Sequence, residues 1–364
     1  MQIGVYTFAD IGFENGQSTI TPVQRMSNLL EEIRLADEVG LDVFGLGEHH
    51  RPDYLASSPA VILGAAAVIT KQIRLSSAVT VLSSDDPVRV FQQFAEIDLL
   101  SKGRAEIMAG RGSFIESFPL FGYDLQAYDE LFTEKLEMLL RINEGEMLTW
   151  KGTHTQTVTQ RGVYPRPYQQ KIPVWIGVGG TPESVVRAAE HGLPMALAII
   201  GGLPARFAPY ADLYRKVFFS KGFNENDLQL SINSHCYVAD GSDQARNEFY
   251  PSYSGVMNRI GRERGWPPGT REQFEASTEL HGALLVGSPQ EVIEKILYQH
   301  ELFHHTRFLA QMSLGAMPHD KIMRSLELLG TIVAPAIRKA IPGIQQPIET
   351  SPNQPHDEKQ DGSV

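Results

Sequence analysis

The sequence predicts an α/β fold, a (β/α)8 barrel of parallel strands closed on themselves, and three observations carry that prediction. Short runs rich in apolar and β-branched residues alternate with longer segments of helical period along most of the chain. Eight strand–helix pairs follow one another, and repeated units of this kind give parallel strands. At 364 residues the chain is long enough for about two domains, yet eight units in one run suit a closed barrel better than an open doubly wound sheet.

The elements follow in order. Ile3–Phe8 is the first strand. Thr21–Gly40 is a helix, with Leu29, Leu30, Ile33 and Val39 near the i, i+3, i+4 spacing, Thr21 as cap, Pro22 in the first turn and Gly40 as stop. Val43–His49 is a strand and the Ala-rich Ser58–Lys71 a helix. Arg74–Leu82 is a strand, and Asp86-Pro87 opens a helix that runs to Ser101. Ala105–Gly110 is a strand and Tyr128–Asn143 a helix. The polar, Thr-rich Glu146–Gln170 reads as a hairpin insertion. Pro173–Val178 is a strand, with Gly179-Gly180-Thr181-Pro182 opening the next helix. Met195–Ile200, Leu228–Val238 and Arg307–Ser313 are strands. Ala205–Lys221, Asp243–Arg264, Pro289–Leu302 and His319–Lys339 are helices, and Arg271–His281 lies in a second, irregular insertion. The barrel therefore carries insertions after strands 4 and 7. Residues 1–342 form one domain, and the Gln-, Pro- and Ser-rich residues 343–364 form a tail with too little apolar content to order itself.

Composition excludes some functions. The formal charge is −11, and from Gly343 on four acids face one base, so the remainder carries −8. No long Lys/Arg run supplies the phosphate contacts that nucleic-acid binding needs. Cys236 is the only cysteine, so no intrachain disulfide forms. The N-terminus MQIGVYTFAD lacks a basic region and a long apolar run, and the most apolar stretch, Pro59 to Thr70, is too short to span a bilayer. A cytoplasmic location is the expectation.

In such a barrel, chemistry sits where strands end. Four strand ends stand out. Gly45-Leu46-Gly47-Glu48-His49-His50 ends strand two. Neighbouring strand residues face opposite ways, so His49 and His50 do not chelate one metal; an acid/base role or a polar loop remains. Ser76-Ser77-Ala78-Val79 puts small residues where bulk is usual, either a floor for a flat ligand or a crowded strand. In Ala109-Gly110-Arg111-Gly112 the guanidinium suits a phosphate or carboxylate, or pairs with an acid. Gly177-Val178-Gly179-Gly180-Thr181-Pro182-Glu183-Ser184 joins glycines to a helix start with Thr181 and Ser184 hydroxyls, an anion site or a plain turn. An arginine and a helix N-terminus around one phosphate, a small-residue floor and an imidazole above it outline a flavin mononucleotide site.

On Glu48-His49-His50, Asp86-Pro87-Val88-Arg89, Leu100-Ser101-Lys102-Gly103-Arg104, Gly110-Arg111-Gly112, Gly192-Leu193-Pro194-Met195 and Val286-Gly287-Ser288-Pro289, the chain resembles the bacterial-luciferase-like flavin-dependent monooxygenases from Met1 to about Ala340. The resemblance implies that FMN, reduced by a separate flavin reductase, reacts with O2 to a flavin hydroperoxide that oxidises a small organic substrate. It implies His49 as the catalytic histidine, with Glu48 orienting it or pairing with Arg51. It implies Ala78-Val79 against the isoalloxazine, often across a non-proline cis peptide, and Arg111, Gly179, Gly180, Thr181 and Ser184 at the phosphate. The strand around Ala198 would pass the ring's polar edge. A homodimer through the helices after strands two and three is implied too. The Thr-rich excursion around Thr153–Thr159 and the loop after Arg264 are candidate lids. Two positions depart from the luciferase pattern: Gly110 replaces a cysteine, and Gly179-Gly180 replace an acid and a serine. Rival readings are a deazaflavin-dependent oxidoreductase on the same barrel, a non-catalytic flavin-binding subunit and, more remotely, a metal-dependent hydrolase.

Overall fold

The computed structural model describes residues 1–14, 17–18, 20–112 and 114–342, with 13, 14, 17 and 18 in backbone only. The tail predicted at 343–364 lies outside the described residues. Eight strands form the barrel: β1 (Gln2–Thr7), β2 (Val43–Leu46), β3 (Arg74–Ser77), β4 (Ala105–Gly110), β5 (Val174–Val178), β6 (Met195–Ala198), β7 (Leu230–Val238) and β8 (Arg307–Gln311). Each pairs in parallel with its neighbours in chain order, β4 meets β5, and β8 returns to β1, so the sheet closes. The helices that follow the strands are α1 (Pro22–Glu38), α2 (Pro59–Ile69), α3 (Pro87–Ser101), α4 (Tyr128–Glu144), α5 (Pro182–Glu190), α6 (Ala208–Ser220), α7 (Ser242–Arg264), α8 (Arg271–Thr278), α9 (Pro289–Phe303) and α10 (His319–Leu328).

Local chemistry explains the helix starts. Thr21 accepts a hydrogen bond from Gln24 N–H, and Asp86 accepts from Val88 and Arg89 N–H. Both precede proline, which fits the first turn. The apolar core fills the shell between strands and helices. A smaller cluster of Tyr6, Val43, Ala78, Met108, Trp175, Ala196 and Leu309 fills the barrel itself.

The sequence expectations fail in three places. Arg74–Leu82 is not one strand: β3 stops at Ser77 and pairing with β4 resumes at Thr80–Val81. Between them the Ala78–Val79 peptide is cis. Ser77 bridges the gap, its hydroxyl donating to Met108 O at 3.0 Å and accepting from Met108 N–H at 2.9 Å. Second, Arg271–Thr278 is a helix and not irregular, since Thr270 and Gln273 form a capping box. Third, Leu285–Gly287 is an unforeseen strand that pairs with the upper half of β7, Cys236–Val238. The hairpin Met147–Trp150/Val158–Gly162 forms, and it joins the end of α4 to the start of β5. Its base therefore lies toward the N-terminal end of the barrel, while its tip reaches the first turns of α4, where His154 Nε2 stands 3.0 Å from Glu130. Glu134 of α4 pins its tip by accepting the Thr153, His154 and Thr155 N–H groups.

Candidate active site

Alternation along the segment after β2 sends Gly47 and His49 toward the barrel mouth and Glu48 and His50 outward. His49 is buried in an aromatic cage, its ring 4.4 Å from Phe8, 4.6 Å from Tyr54 and 5.1 Å from Phe114. Its Nε2 is buried and finds no hydrogen-bond partner among the described residues. Burial, with help from the nearby Arg51 and His50, pushes its pKa down to about 3. The ring is therefore held neutral near pH 7, because its surroundings are rings and a cation.

Glu48 does not orient His49 and does not pair with Arg51. Its Oε1 lies 2.7 Å from His50 Nε2, and its Oε2 accepts Val81 N–H at 2.9 Å. Its own N–H donates to Val79 O at 3.0 Å. One residue thus holds both sides of the kinked Ala78–Val79 segment. A cavity of about 380 Å³ lies beside it, lined by Glu48, His50, Thr80, Ser84 and Asp85 among others.

Ala78 and Val79 project into the mouth because their neighbours are glycines. A methyl group at Gly110 would stand 2.6 Å from Val79 Cγ2, and one at Gly177 would stand 2.7 Å from Val79 Cγ1. Gly110, where the luciferase pattern has cysteine, is thus the position that admits Val79. Ala198 ends β6 two residues beyond Ala196, which sits in the barrel interior, and pairs with Asn233 of β7.

Arg111, Thr181 and Ser184 come together across the mouth. One Arg111 nitrogen, Nη2, donates to the Thr181 and Ser184 hydroxyls, both at 3.0 Å, and these hydroxyls are 2.8 Å apart. Nη1 meets Asp129 at 2.5 Å. Gly179 and Gly180 lead from β5 into α5 beside them. Fixed guanidinium and hydroxyl donors on one spot, beside the Gly179-Gly180 turn, suit an anion such as a flavin phosphate. Phosphate binding would rest on these side chains as well as on the backbone.

Sequence reasoning missed the cage residues Phe8, Tyr54 and Phe114, and it named Arg51 only as a possible partner of Glu48. Arg51 binds Glu116 at 2.8 Å and Glu263 of α7 at 2.5 Å, and lies 4.6 Å over Phe114. It ties the loops after β2 and β4 to the end of α7, beside the loop after Arg264 that was read as a lid. Arg187 was missed as well; its place one turn beyond Ser184 was the available signal. Among the described residues, no three of His, Cys, Asp and Glu converge as metal ligands, and no helix is long and apolar enough to cross a membrane.

Known proteins share this fold. The N-acetyl-S-alkylcysteine monooxygenase of Bacillus subtilis is 29% identical over 76% of this chain and 83% of its own length. The monooxygenase RslO1 from Streptomyces bottropensis superposes with a TM-score of 0.80 at 24% identity, over 92% of this chain and 99% of that one. The oxygenating constituent of 3,6-diketocamphane monooxygenase from Pseudomonas putida, solved with FMN, gives 0.74 at 18% over 93% and 98%. An F420-dependent secondary alcohol dehydrogenase gives 0.72 at 16% over 93% and 99%, so the fold alone is shared by both cofactor classes. The sequence model of the luciferase-like monooxygenases matches residues 1–306, and the chain is an oxidoreductase that belongs to that family.

Proposed function

We propose that the chain is a monooxygenase that binds FMN reduced by a separate flavin reductase and uses O2 to oxidise a small organic substrate. The observation that carries this reading is the convergence, at one end of the barrel, of the Arg111–Thr181–Ser184 donor set with the Ala78–Val79 projection and the caged, neutral His49. Bound reduced FMN would supply two electrons, so that one oxygen atom enters the substrate and the other leaves as water. The chain's own part is to bind, orient and exclude water. Arg111, Thr181, Ser184 and the Gly179-Gly180 turn hold the phosphate. Ala78 and Val79 support one face of the ring, with the strand end at Ala198 near its edge. The cage of Phe8, Tyr54 and Phe114 keeps water from His49 Nε2. As a neutral imidazole, His49 takes or relays a proton at that nitrogen, and it gives none as imidazolium near neutral pH. Glu48, expected beside it in the reaction, acts instead through the backbone that carries Val79.

A homodimer is part of the proposal. The outward face of α2 carries Val61, Ala65, Val68 and Ile69, all exposed. A helix apolar on every side is normally covered, and a second copy would cover it.

The test is an anaerobic titration with reduced FMN followed by mixing with O2. Tight binding, and reoxidation kinetics that differ from those of free reduced FMN, are the expected result. Failure to bind, or reoxidation at the rate of the free flavin, sinks the reading.

A further inference from the structure

The anion pocket contains a second cation that the reading above leaves idle. Arg187 stands one turn beyond Ser184 on α5, its Cζ 5.3 Å from the centre of the Phe132 ring. Its Nη1 is buried without a hydrogen-bond acceptor among the described residues. Burial first, and the charge of Arg111 second, make its charged form harder to hold than usual. The carboxylate nearest to it is Asp129, 4.0 Å from Nη2, and Asp129 is already taken by Arg111 at 2.5 Å. Glu183 also acts on Arg187 through space, as the last of its electrostatic influences. Two guanidinium groups therefore share one carboxylate whose side chain is 66% exposed. Against the donors of two guanidinium groups stand this carboxylate and the Thr181 and Ser184 hydroxyls that Arg111 already uses, an imbalance that a larger, more highly charged anion would correct.

We propose that Arg187 is a second ligand for the phosphate of the cofactor, that Asp129 occupies the place of the anion until the cofactor arrives, and that the pocket thereby selects a phosphomonoester dianion over a phosphodiester. This rests on the FMN reading and deepens it. A monoester carries close to two charges at neutral pH, with a second pKa of about 6, and offers three unesterified oxygens. A diester carries one charge and offers two. With Arg111 and the Thr181 and Ser184 hydroxyls engaged, the third oxygen and second charge are what Arg187 would meet. A deazaflavin tail, attached through a diester, leaves that donor without a partner.

Three flavins with the same ring separate these terms: riboflavin without phosphate, FMN as monoester, and FAD, whose flavin-side phosphate is joined to a second one in a pyrophosphate and, like a diester, keeps one charge and two free oxygens. Titrated by fluorescence quenching onto the full chain, FMN binds more tightly than FAD and riboflavin. In Arg187→Gln, FMN affinity falls about 10-fold or more, the usual weight of a charge-assisted hydrogen bond, while riboflavin affinity holds and certifies the fold. Asp129→Asn tightens FMN, since the competing carboxylate has lost its charge. Wild-type affinity for FMN weakens as pH falls through about 6, and that dependence shrinks in Arg187→Gln. An unchanged FMN-to-riboflavin ratio in Arg187→Gln, or weaker FMN binding in Asp129→Asn, overturns the proposal and leaves the flavin reading standing. If the wild type binds none of the three, the flavin reading falls and this proposal falls with it.

Discussion

At the N-terminal end of the barrel interior, Arg307 grips Glu106 through two bonds of 2.8 and 3.1 Å, and Gln2 accepts from Arg307 Nε at 2.8 Å. Arg74 adds a second cation 3.4 Å from Glu106, and Trp175 lies 4.0 Å under the Arg307 guanidinium. Burial alone would raise the Glu106 pKa, but the two arginines outweigh it and hold the carboxyl below its ordinary value. At the C-terminal end, His49 Nε2, His235 Nδ1 and Arg187 Nη1 are buried and meet no hydrogen-bond partner among the described residues. The Glu106 cluster sets its buried carboxylate between two cations, whereas at the mouth several buried polar atoms stand unsatisfied among the described residues. Such groups are uncommon and call for a reason. A site whose ligand makes the missing bonds is the reason that fits the mouth, and mutations at the two ends should therefore separate function from stability.

The largest expected effect is functional. His49→Ala lowers turnover about 10²–10⁴-fold, the usual span for a positioned acid/base group, while FMN affinity and the unfolding midpoint hold. A matching drop in stability would place His49 with the structural end instead. The opposite pattern is expected at the other end. Arg307→Met leaves Glu106 with only Arg74, and breaking a buried pair from one side costs about 3–5 kcal/mol. Urea unfolding measures it, and the flavin affinity of the protein that remains folded should match the wild type.

Glu48 lies between these extremes and sharpens the comparison. Glu48→Ala strands Val81 N–H and His50, a loss of about 1–3 kcal/mol, and loosens the Ala78–Val79 segment, so FMN affinity falls too. Glu48→Gln keeps an acceptor for Val81 and should restore both. If turnover in Glu48→Gln instead develops a shifted pH profile with binding intact, the residue takes part in proton transfer and the positioning role is wrong.

Much of this was legible in the sequence, for identifiable reasons. Strand ends and helix starts carry local signals, as in Thr21-Pro22, Asp86-Pro87 and Gly179-Gly180-Thr181-Pro182, and the closed barrel follows from repeating them. The anion donors were legible because Arg111 and Ser184 lie in short stretches whose residue types point to one ligand. The role of Glu48 was not, because its partners His50 and Val81 include one 33 residues away that offers a backbone N–H, and backbone donors look alike in every sequence. The cage around His49 was hidden for a similar reason: Phe8, Tyr54 and Phe114 come from three loops, and none has a distinctive neighbour. The break in the third strand was visible only as a run of small residues, whose meaning depends on Gly110 and Gly177 across the barrel.

The smallest expected effect concerns pH and a histidine far from the mouth. His305 precedes β8 at the N-terminal end, fully buried, with neither ring nitrogen hydrogen-bonded among the described residues, and burial pushes its pKa down to about 3. His49, at about 3, and His235, at about 4, share that condition. For a histidine whose folded pKa lies below its unfolded value, the unfolded chain binds more protons between the two. Stability is then full above about pH 6.5 and falls as pH drops toward the folded pKa, by at most about 1.4 kcal/mol per pH unit for each group. Asp10 works in the opposite sense: burial raises its pKa to about 7, so the folded form holds the proton and stability rises as pH falls through that range. His300 is lowered as well, while Asp85, Asp98 and His319 are raised and act in the sense of Asp10, so a single-site variant is what isolates one contribution. His305→Leu removes one contributor without touching the mouth. Urea unfolding at about pH 6.5 and 5.5 should show the variant losing about 1 kcal/mol less on acidification than the wild type, with FMN affinity at pH 7 unchanged. An unchanged pH dependence would mean that His305 finds a proton partner, and that the N-terminal end satisfies its buried groups even outside the barrel interior.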